Sequence, residues 1–377
     1  MKQAEPVELE RKKLFEKLLK NNLTTFLITF HPKEAPKFGL VKKPVFTDSP
    51  SPIAKPYKWD YSMMRELLYE LGTLLSAEEA ERRQVQLVNP SLREYPYLGA
   101  IAISPTIFAA IQLVKAGEVA PTHYHTPNAF RLILEAPEDG AYTVVNGKRI
   151  TMRRGDLVLT PSYAWHDHRN ESDNDVIWLD GLDAPLVWYM GGIFFKDYAK
   201  VHGENVQPVK LTDEDLLATY GSGFKPEQDL YDSYDPLFIY PYSRAKNALR
   251  SLVKRGTMPP EGYVVRYLNP VTGKDLFQTM ALKMRLIPPG GSTASIRRTE
   301  HIVMAPLEGR CRVTLEDASF DLVENDVAII PPWSEYRIQN TGNKDLVVFS
   351  YSDEPLFRAI GIYQEEVGKN SQSSHAT

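Results

Sequence analysis

Three histidines carry the strongest chemical signal in this chain. His123 and His125 stand two residues apart in Thr122-His123-Tyr124-His125, so on an extended strand both imidazoles face the same side. His166 follows after a strand-like run and a hairpin, in the tetrad Trp165-His166-Asp167-His168, and a strand return of that kind brings it beside the other two. Four of the eight histidines fall within the 52 residues from Gly117 to His168. Three neutral imidazoles on one divalent ion leave roughly half of an octahedral coordination sphere open, as an activating metal requires. His168, two residues beyond His166, shares its face on a strand. Its ordinary pKa of about 6.5 makes it a candidate proton donor or acceptor, the alternative being a hydrogen-bonded support for the ligands.

Other residues have chemical potential because they are polar in apolar surroundings. Arg131 lies in Ala129-Phe130-Arg131-Leu132-Ile133-Leu134, where a guanidinium needs an anionic partner. A substrate carboxylate fits, held in the two-pronged manner that arginine favours; an internal pair with Glu135 or Asp180 is the alternative. Gln112 shares one strand face with Phe108 and Ala110, which suits either a substrate contact or an internal hydrogen bond. Phe108 is placed to stack on an aromatic ring or to fill the core. Asp180 ends the strand Val176-Ile177-Trp178-Leu179 and could touch a ring hydroxyl or simply fix Arg131.

The elements that must position these groups are legible in outline. The 377 residues exceed one ordinary domain, and 43 % hydrophobic with 24 % charged residues is the composition of a soluble globular protein. A net charge of −4 gives no reason to expect nucleic acid or a membrane surface. The single cysteine, Cys311, cannot form an internal disulfide and reads as core. With no apolar run approaching 18 residues and no signal-like N-terminal core, a cytoplasmic location is expected.

Residues 8–20 read as a helix with a partial leucine stripe, and 31–58, rich in proline and lysine, as an extended arm. A second helix is expected from Asp60 to Arg82, with Leu67, Leu68, Leu71, Leu74 and Leu75 on its apolar face and Asp60 or Ser62 as N-cap. From Asn89-Pro90 the pattern becomes short alternating runs broken by Gly, Pro and Asn, as in antiparallel sheet. Asn146-Gly147 predicts a type I′ hairpin. Residues 196–260 read as a polar connector with a helix near 243–254, and the segment after Glu366 as a polar, disordered tail.

A second β-rich segment, 263–352, repeats the first. Asn325-Asp326 matches Gly155-Asp156, and Pro289-Gly290-Gly291 falls where Ala116-Gly117 falls. Superposed this way, His123 and His125 meet Arg297 and Thr299, His166 meets Tyr336, Gln112 meets Leu286, and Arg131 meets Ala305. The second copy has lost the metal-binding side chains, which implies one metal per chain, in the first barrel.

The run Gly117-x5-His123-x-His125, with Gly155-Asp156-x4-Pro161 and His166 later, resembles the two motifs of the cupin superfamily. More narrowly the chain resembles the bicupin ring-cleaving dioxygenases, gentisate 1,2-dioxygenase and its salicylate and 1-hydroxy-2-naphthoate relatives. The matching stretches over roughly 55–360 are Glu81-Arg82-Arg83 with Asn89-Pro90, Ser104-Pro105-Thr106, His125-x-x-Asn128-Ala129-Phe130-Arg131, Trp165-His166-Asp167-His168-x-Asn170, Asp180-Gly181-Leu182-Asp183-x-Pro185, and Pro236-Leu237 with Tyr240-Pro241. Most metal cupins carry a glutamate four or five residues after the second histidine; Ala129 and Phe130 stand there instead.

The resemblance implies a mainly β fold of two tandem cupin (double-stranded β-helix) barrels with an N-terminal helical arm. The expected division is 1–88 arm, 89–195 metal-binding barrel, 196–260 connector, 261–360 metal-free barrel and 361–377 tail. It also implies one Fe(II) per chain, a small aromatic hydroxy-acid substrate with dioxygen, and a homo-oligomer, a tetramer in the family. Arg82 and Trp165 join the substrate-binding residues on this ground alone; without it, Arg82 and Arg83 read as solvated. In the reaction so implied, the ring bond between the carboxyl-bearing and hydroxyl-bearing carbons is cut, and gentisate gives maleylpyruvate. Salicylate or 1-hydroxy-2-naphthoate is the alternative substrate. A non-catalytic ligand-binding bicupin, or a zinc hydratase or isomerase on the same barrel, is the alternative of another class.

Overall fold

The computed structural model of the chain describes residues 4–29, 37, 47–75, 83–227 and 237–368. It separates into two compact units, 1–51 and 52–377. The first contains the helices Ala4–Lys20 and Phe26–Thr29. The longer one starts four residues before the leucine-based expectation, because Ala4-Glu5 and Glu8 also favour helix.

The second unit holds both barrels. In the first, a sheet in the order Ile239–Tyr240, Leu157–Thr160, Ala129–Glu135, Val176–Leu182, Phe108–Val114, Gln84–Gln86 accompanies one in the order Phe195–Asp197, Val119–His125, His166–Asn170, Ala141–Val145, Lys148–Thr151, Leu211–Thr212. The second barrel repeats this, with Tyr57–Trp59, Val327–Ile330, Ile302–Glu308, Leu346–Ser352, Ala281–Ile287 and Tyr263–Arg266 in one sheet. Its other sheet runs Ser319–Leu322, Cys311–Leu315, Tyr336–Asn340, Ile296–Arg298, Glu365–Val367. The interior is apolar, with Phe130, Trp178, Phe349 and Tyr351 among the largest fully buried side chains. Cys311 is part of the second barrel's core, and burial pushes its thiol up to about 12.

Each barrel borrows its edge strand from the segment leading into the other. Tyr57–Trp59 pairs with Val327–Ile330 of the second barrel, after which the chain forms a helix and enters the first barrel through Gln84–Gln86. Ile239–Tyr240 pairs with Leu157–Thr160 of the first barrel, then forms a helix and enters the second through Tyr263–Arg266. The repeat is therefore longer than its β-rich part, and the stretch read as connector contains the second copy's leading strand and helix. Both helices begin on the opposite barrel's aspartate. The Tyr61 N–H donates to Asp326 and the Tyr242 N–H to Asp156, each at 2.8 Å, satisfying an N-terminal amide that has no partner within the helix. Gly155 makes room for this: at φ +85°, a Cβ there would lie 2.6 Å from the Tyr242 ring.

Several expectations change in detail. The first of these helices spans Tyr61–Leu74 and buries Tyr61, Met64 and Leu68, whereas Leu67, Leu74 and Leu75 are exposed. Asp60 occupies the N-cap position without a side-chain cap bond, that role passing to Asp326. The second spans Tyr242–Val253, close to expectation. Asn146 and Gly147 take φ of +47° and +78°, the two left-handed residues that the hairpin demands. Glu365–Val367, read as tail, adds a strand to Ile296–Arg298. Of the arm at 31–58, residue 37 and residues 47–58 are described, and Tyr57 and Lys58 belong to the edge strand.

Burial pushes the Asp156 carboxyl up to about 6, Asp213 adding to the effect while the Tyr242 N–H and Arg153 oppose it. A folded-state pKa above the unfolded value of about 3.9 favours folding at acid pH, and that contribution is lost as pH rises through about 6. Asp156→Asn keeps an acceptor for Tyr242 without the charge. Its melting temperature relative to the natural chain should therefore rise between pH 4 and pH 7; a pH-independent difference would contradict the assignment.

Candidate metal centre

The centre is built by strand register. His123 pairs directly across from His166, and His125 follows on the same face of its strand. The ring centroids are 4.3 Å apart for His123–His166, 4.9 Å for His125–His166 and 5.9 Å for His123–His125. One nitrogen from each lies within 4.8 Å of the other two, and all three residues are buried.

Main-chain acceptors fix which nitrogen that is. His123 Nδ1 donates to the Pro121 carbonyl at 2.9 Å, His125 Nδ1 to Pro127 at 2.8 Å, and His166 Nδ1 to Ala164 at 2.9 Å. A carbonyl only accepts, so each Nδ1 carries a proton, and in the neutral ring Nε2 is then the nitrogen whose lone pair is available to a metal. The Nε2 of His166 is buried with no hydrogen-bond partner among the described residues. Burial, with His123, His125 and Arg131 adding to it, holds this imidazole well below its usual pKa and therefore neutral. Three buried imidazoles with their ligand nitrogens this close fit a divalent transition metal. Among the described residues the group includes no carboxylate.

The surrounding loops hold these rings still. Asn128 donates its main-chain N–H and Nδ2 to Asp183 at 2.8 and 2.9 Å and accepts from the Ser162 N–H at 3.2 Å, fixing the turn that supplies the acceptor for His125. Tyr163, at φ +64°, donates its N–H to the His125 carbonyl. The Trp165 N–H donates to Asn146 Oδ1, so the hairpin turn also restrains the residue before His166.

A cavity of about 310 Å³ opens beside His125. Pairing places residues of its wall in layers across three strands: Gln112–Trp178–Ile133, then Ala110–Asp180–Arg131, then Phe108–Leu182–Ala129. Phe108, Gln112, Arg131 and Asp180 all line this cavity with His125. Arg131 and Asp180 face each other, Nε to Oδ1 at 3.4 Å, each only 3 % exposed, and Arg131 also donates to Thr160 Oγ1 at 2.8 Å. Burial lowers the Arg131 pKa, with Asp180 opposing the shift. The internal pair and the cavity-lining position thus coexist. Glu135, the other expected partner, binds Arg65 and Tyr61 instead.

Three residues lie elsewhere than expected. His168 packs against Trp178, its Nδ1 sharing a 2.8 Å hydrogen bond with Thr143, and does not line the cavity. Trp165 alternates to the outer face, where it meets Tyr124, Tyr198 and His202. Arg83 is buried and paired with Glu118 at 2.7 Å rather than solvated; Arg82 lies outside the described residues. Conversely, sequence reading missed Gln84, Gln86, Tyr97, Ile193 and Phe195, all in the cavity wall. Phe195 stacks on His123 with centroids 5.0 Å apart. Alternation in Gln84-Val85-Gln86 was the one available signal for the glutamines.

The second barrel fills the equivalent space differently, and the superposition shifts by one residue. Ile296 pairs with Tyr336 as His123 pairs with His166, so Ile296 and Arg298 replace the first two histidines, and Tyr336 the third. By the same pairing Gln112 meets Arg285, and Arg131 meets Met304. The slip came from Gly290-Gly291: Gly290, at φ +71°, is the counterpart of Gly117 at +75°. Arg298 is held by Glu261 at 2.6 Å and Glu365 at 3.1 Å, an ion-paired filling in place of a metal site.

Residues 110–182 match the cupin domain family. The chain is 34 % identical to gentisate 1,2-dioxygenase 1 of Aquipseudomonas alcaligenes over 361 residues, 95 % of this chain and 97 % of that protein. It is 31 % identical to 1-hydroxy-2-naphthoate 1,2-dioxygenase of Nocardioides sp. (84 % of this chain, 80 % of that protein). The structure of salicylate 1,2-dioxygenase from Pseudoaminobacter salicylatoxidans with gentisate superposes with a TM-score of 0.81 at 27 % identity, covering 96 % and 94 % of the two chains. With the three-histidine centre and the doubled barrel, these likenesses make the chain a ring-cleaving dioxygenase of the gentisate 1,2-dioxygenase family.

Proposed function

We propose that this enzyme uses Fe(II) to cleave gentisate (2,5-dihydroxybenzoate), inserting both atoms of dioxygen between the carboxyl-bearing carbon and its hydroxyl-bearing neighbour to give maleylpyruvate. The carrying observation is the cluster of His123, His125 and His166, whose His125 lines a small cavity that also holds a buried guanidinium. Ferrous iron, when bound there, supplies the redox chemistry that makes dioxygen reactive. The chain's own residues bind and orient. Arg131 presents a guanidinium to the substrate carboxylate in a nearly water-free wall, where a charge-assisted pair is stronger than in solution. Asp180 keeps that guanidinium in place and is positioned to accept from a ring hydroxyl. Phe108, Leu182 and Phe195 sandwich the ring and keep water out. Three neutral ligands leave the metal its full charge, which suits an anionic substrate.

Oxygen uptake by anaerobically iron-loaded protein tests this directly. Gentisate should be consumed with equimolar oxygen and without an added reductant. Turnover without dioxygen, or by the zinc-loaded protein alone, would contradict it. His166→Ala removes a buried ligand, so both bound iron and activity should fall below a tenth of their original levels; retained stoichiometric iron would exclude this centre. Arg131→Ala should raise the apparent KM for gentisate at least tenfold and lower turnover, and Arg131→Lys should restore little, because an ammonium cannot reproduce the planar fork. An unchanged KM in a variant that still binds iron would remove Arg131 from the carboxylate role.

A further inference from the structure

The polar wall of the cavity exceeds what a 2-hydroxybenzoate alone would use. Gln84 and Gln86 form the inward positions of the edge strand beside Phe108–Val114, paired with Gln112 and Ala110. All three glutamines line the cavity, next to Arg131 and Asp180. Gln112 is only 3 % exposed, and none of the three amides is hydrogen-bonded by its side chain to another protein group among the described residues. We propose that Gln84 and Gln86, together with Gln112, recognise a second hydrogen-bonding substituent on the aromatic ring. They would thereby select hydroxy- or amino-substituted 2-hydroxybenzoates over salicylate and over bicyclic hydroxynaphthoates.

This inference rests on the reading of the centre as a 2-hydroxybenzoate dioxygenase. In that reading the carboxylate and its neighbouring hydroxyl are taken by the metal and Arg131, and no amide is needed for either. A bound ring displaces the water that otherwise satisfies the glutamines. A ring that offers only C–H to this wall leaves the amides without partners, whereas a hydroxyl or amino group restores hydrogen bonds. Each amide both donates and accepts, so the wall takes either substituent. A fused second ring likewise offers only C–H to this wall, so it too leaves the amides without partners.

The test compares gentisate, 5-aminosalicylate, salicylate and 1-hydroxy-2-naphthoate with the iron-loaded natural chain, Gln84→Leu and Gln86→Leu. Two readouts are needed: anaerobic binding by titration, and kcat/KM from oxygen uptake. The natural chain should prefer the first two acids at least about tenfold, and each leucine variant should cut that preference about fivefold or more. The near-isosteric change lies on an edge strand, and iron content with melting temperature confirms folding. Equal affinity for all four acids in the natural chain, or a preference unchanged in both variants, would overturn the assignment. Preferential binding without oxygen uptake would uphold it while contradicting the dioxygenase reading on which it rests.

Discussion

The candidate metal centre depends on a strand register that sets His123 opposite His166 and on three main-chain carbonyls that take the Nδ1 protons. A slip of one residue would turn His123 and His125 out of the barrel, because side chains alternate strictly along a strand. A change of tautomer would leave the rings in place with their lone pairs pointing at carbonyls. Register and tautomer are fixed by different parts of the structure. The first comes from the sheet, and the second from the turns around Pro121, Pro127 and Ala164.

The second barrel contributes to this rigidity without sharing the chemistry. Phe130, next to Arg131, packs edge-on against Tyr351, with centroids 4.7 Å apart. Gly181 is needed for that contact, since a Cβ there would meet the Phe130 ring at 2.2 Å. Asp183 accepts from Thr279 at 2.6 Å, and Asp353 from Thr106 at 2.5 Å, so each barrel is clasped to the other by the same kind of bond. The second barrel keeps its share of the interface without the three histidines. Ile296, Arg298 and Tyr336 stand at the corresponding positions, and Arg298 is paired with Glu261.

The three-histidine cluster was readable from sequence because chemistry restricts such a group to few residue types and strand geometry to one spacing. The Asn146-Gly147 hairpin was readable for a similar reason: two consecutive left-handed residues leave little choice. Where several residues satisfy the local rule, reading failed. Either glycine of Gly290-Gly291 could match Gly117, and only the backbone dihedral decides between them. Long-range partners were invisible as well. Arg83 looks solvated until the fold brings Glu118 against it from 35 residues away. Asp326, far along the chain, caps the helix for which the local sequence offers Asp60 or Ser62. Gln84 and Gln86 belong to a three-residue edge strand, too short to announce itself by periodicity.

Anomalous diffraction at the iron edge, from crystals grown anaerobically with ferrous iron, tests the central claim most directly. The account predicts one strong peak per chain, within bonding distance of the Nε2 atoms of His123, His125 and His166. A comparable peak among Ile296, Arg298 and Tyr336, or iron bound away from the three histidines, would contradict it.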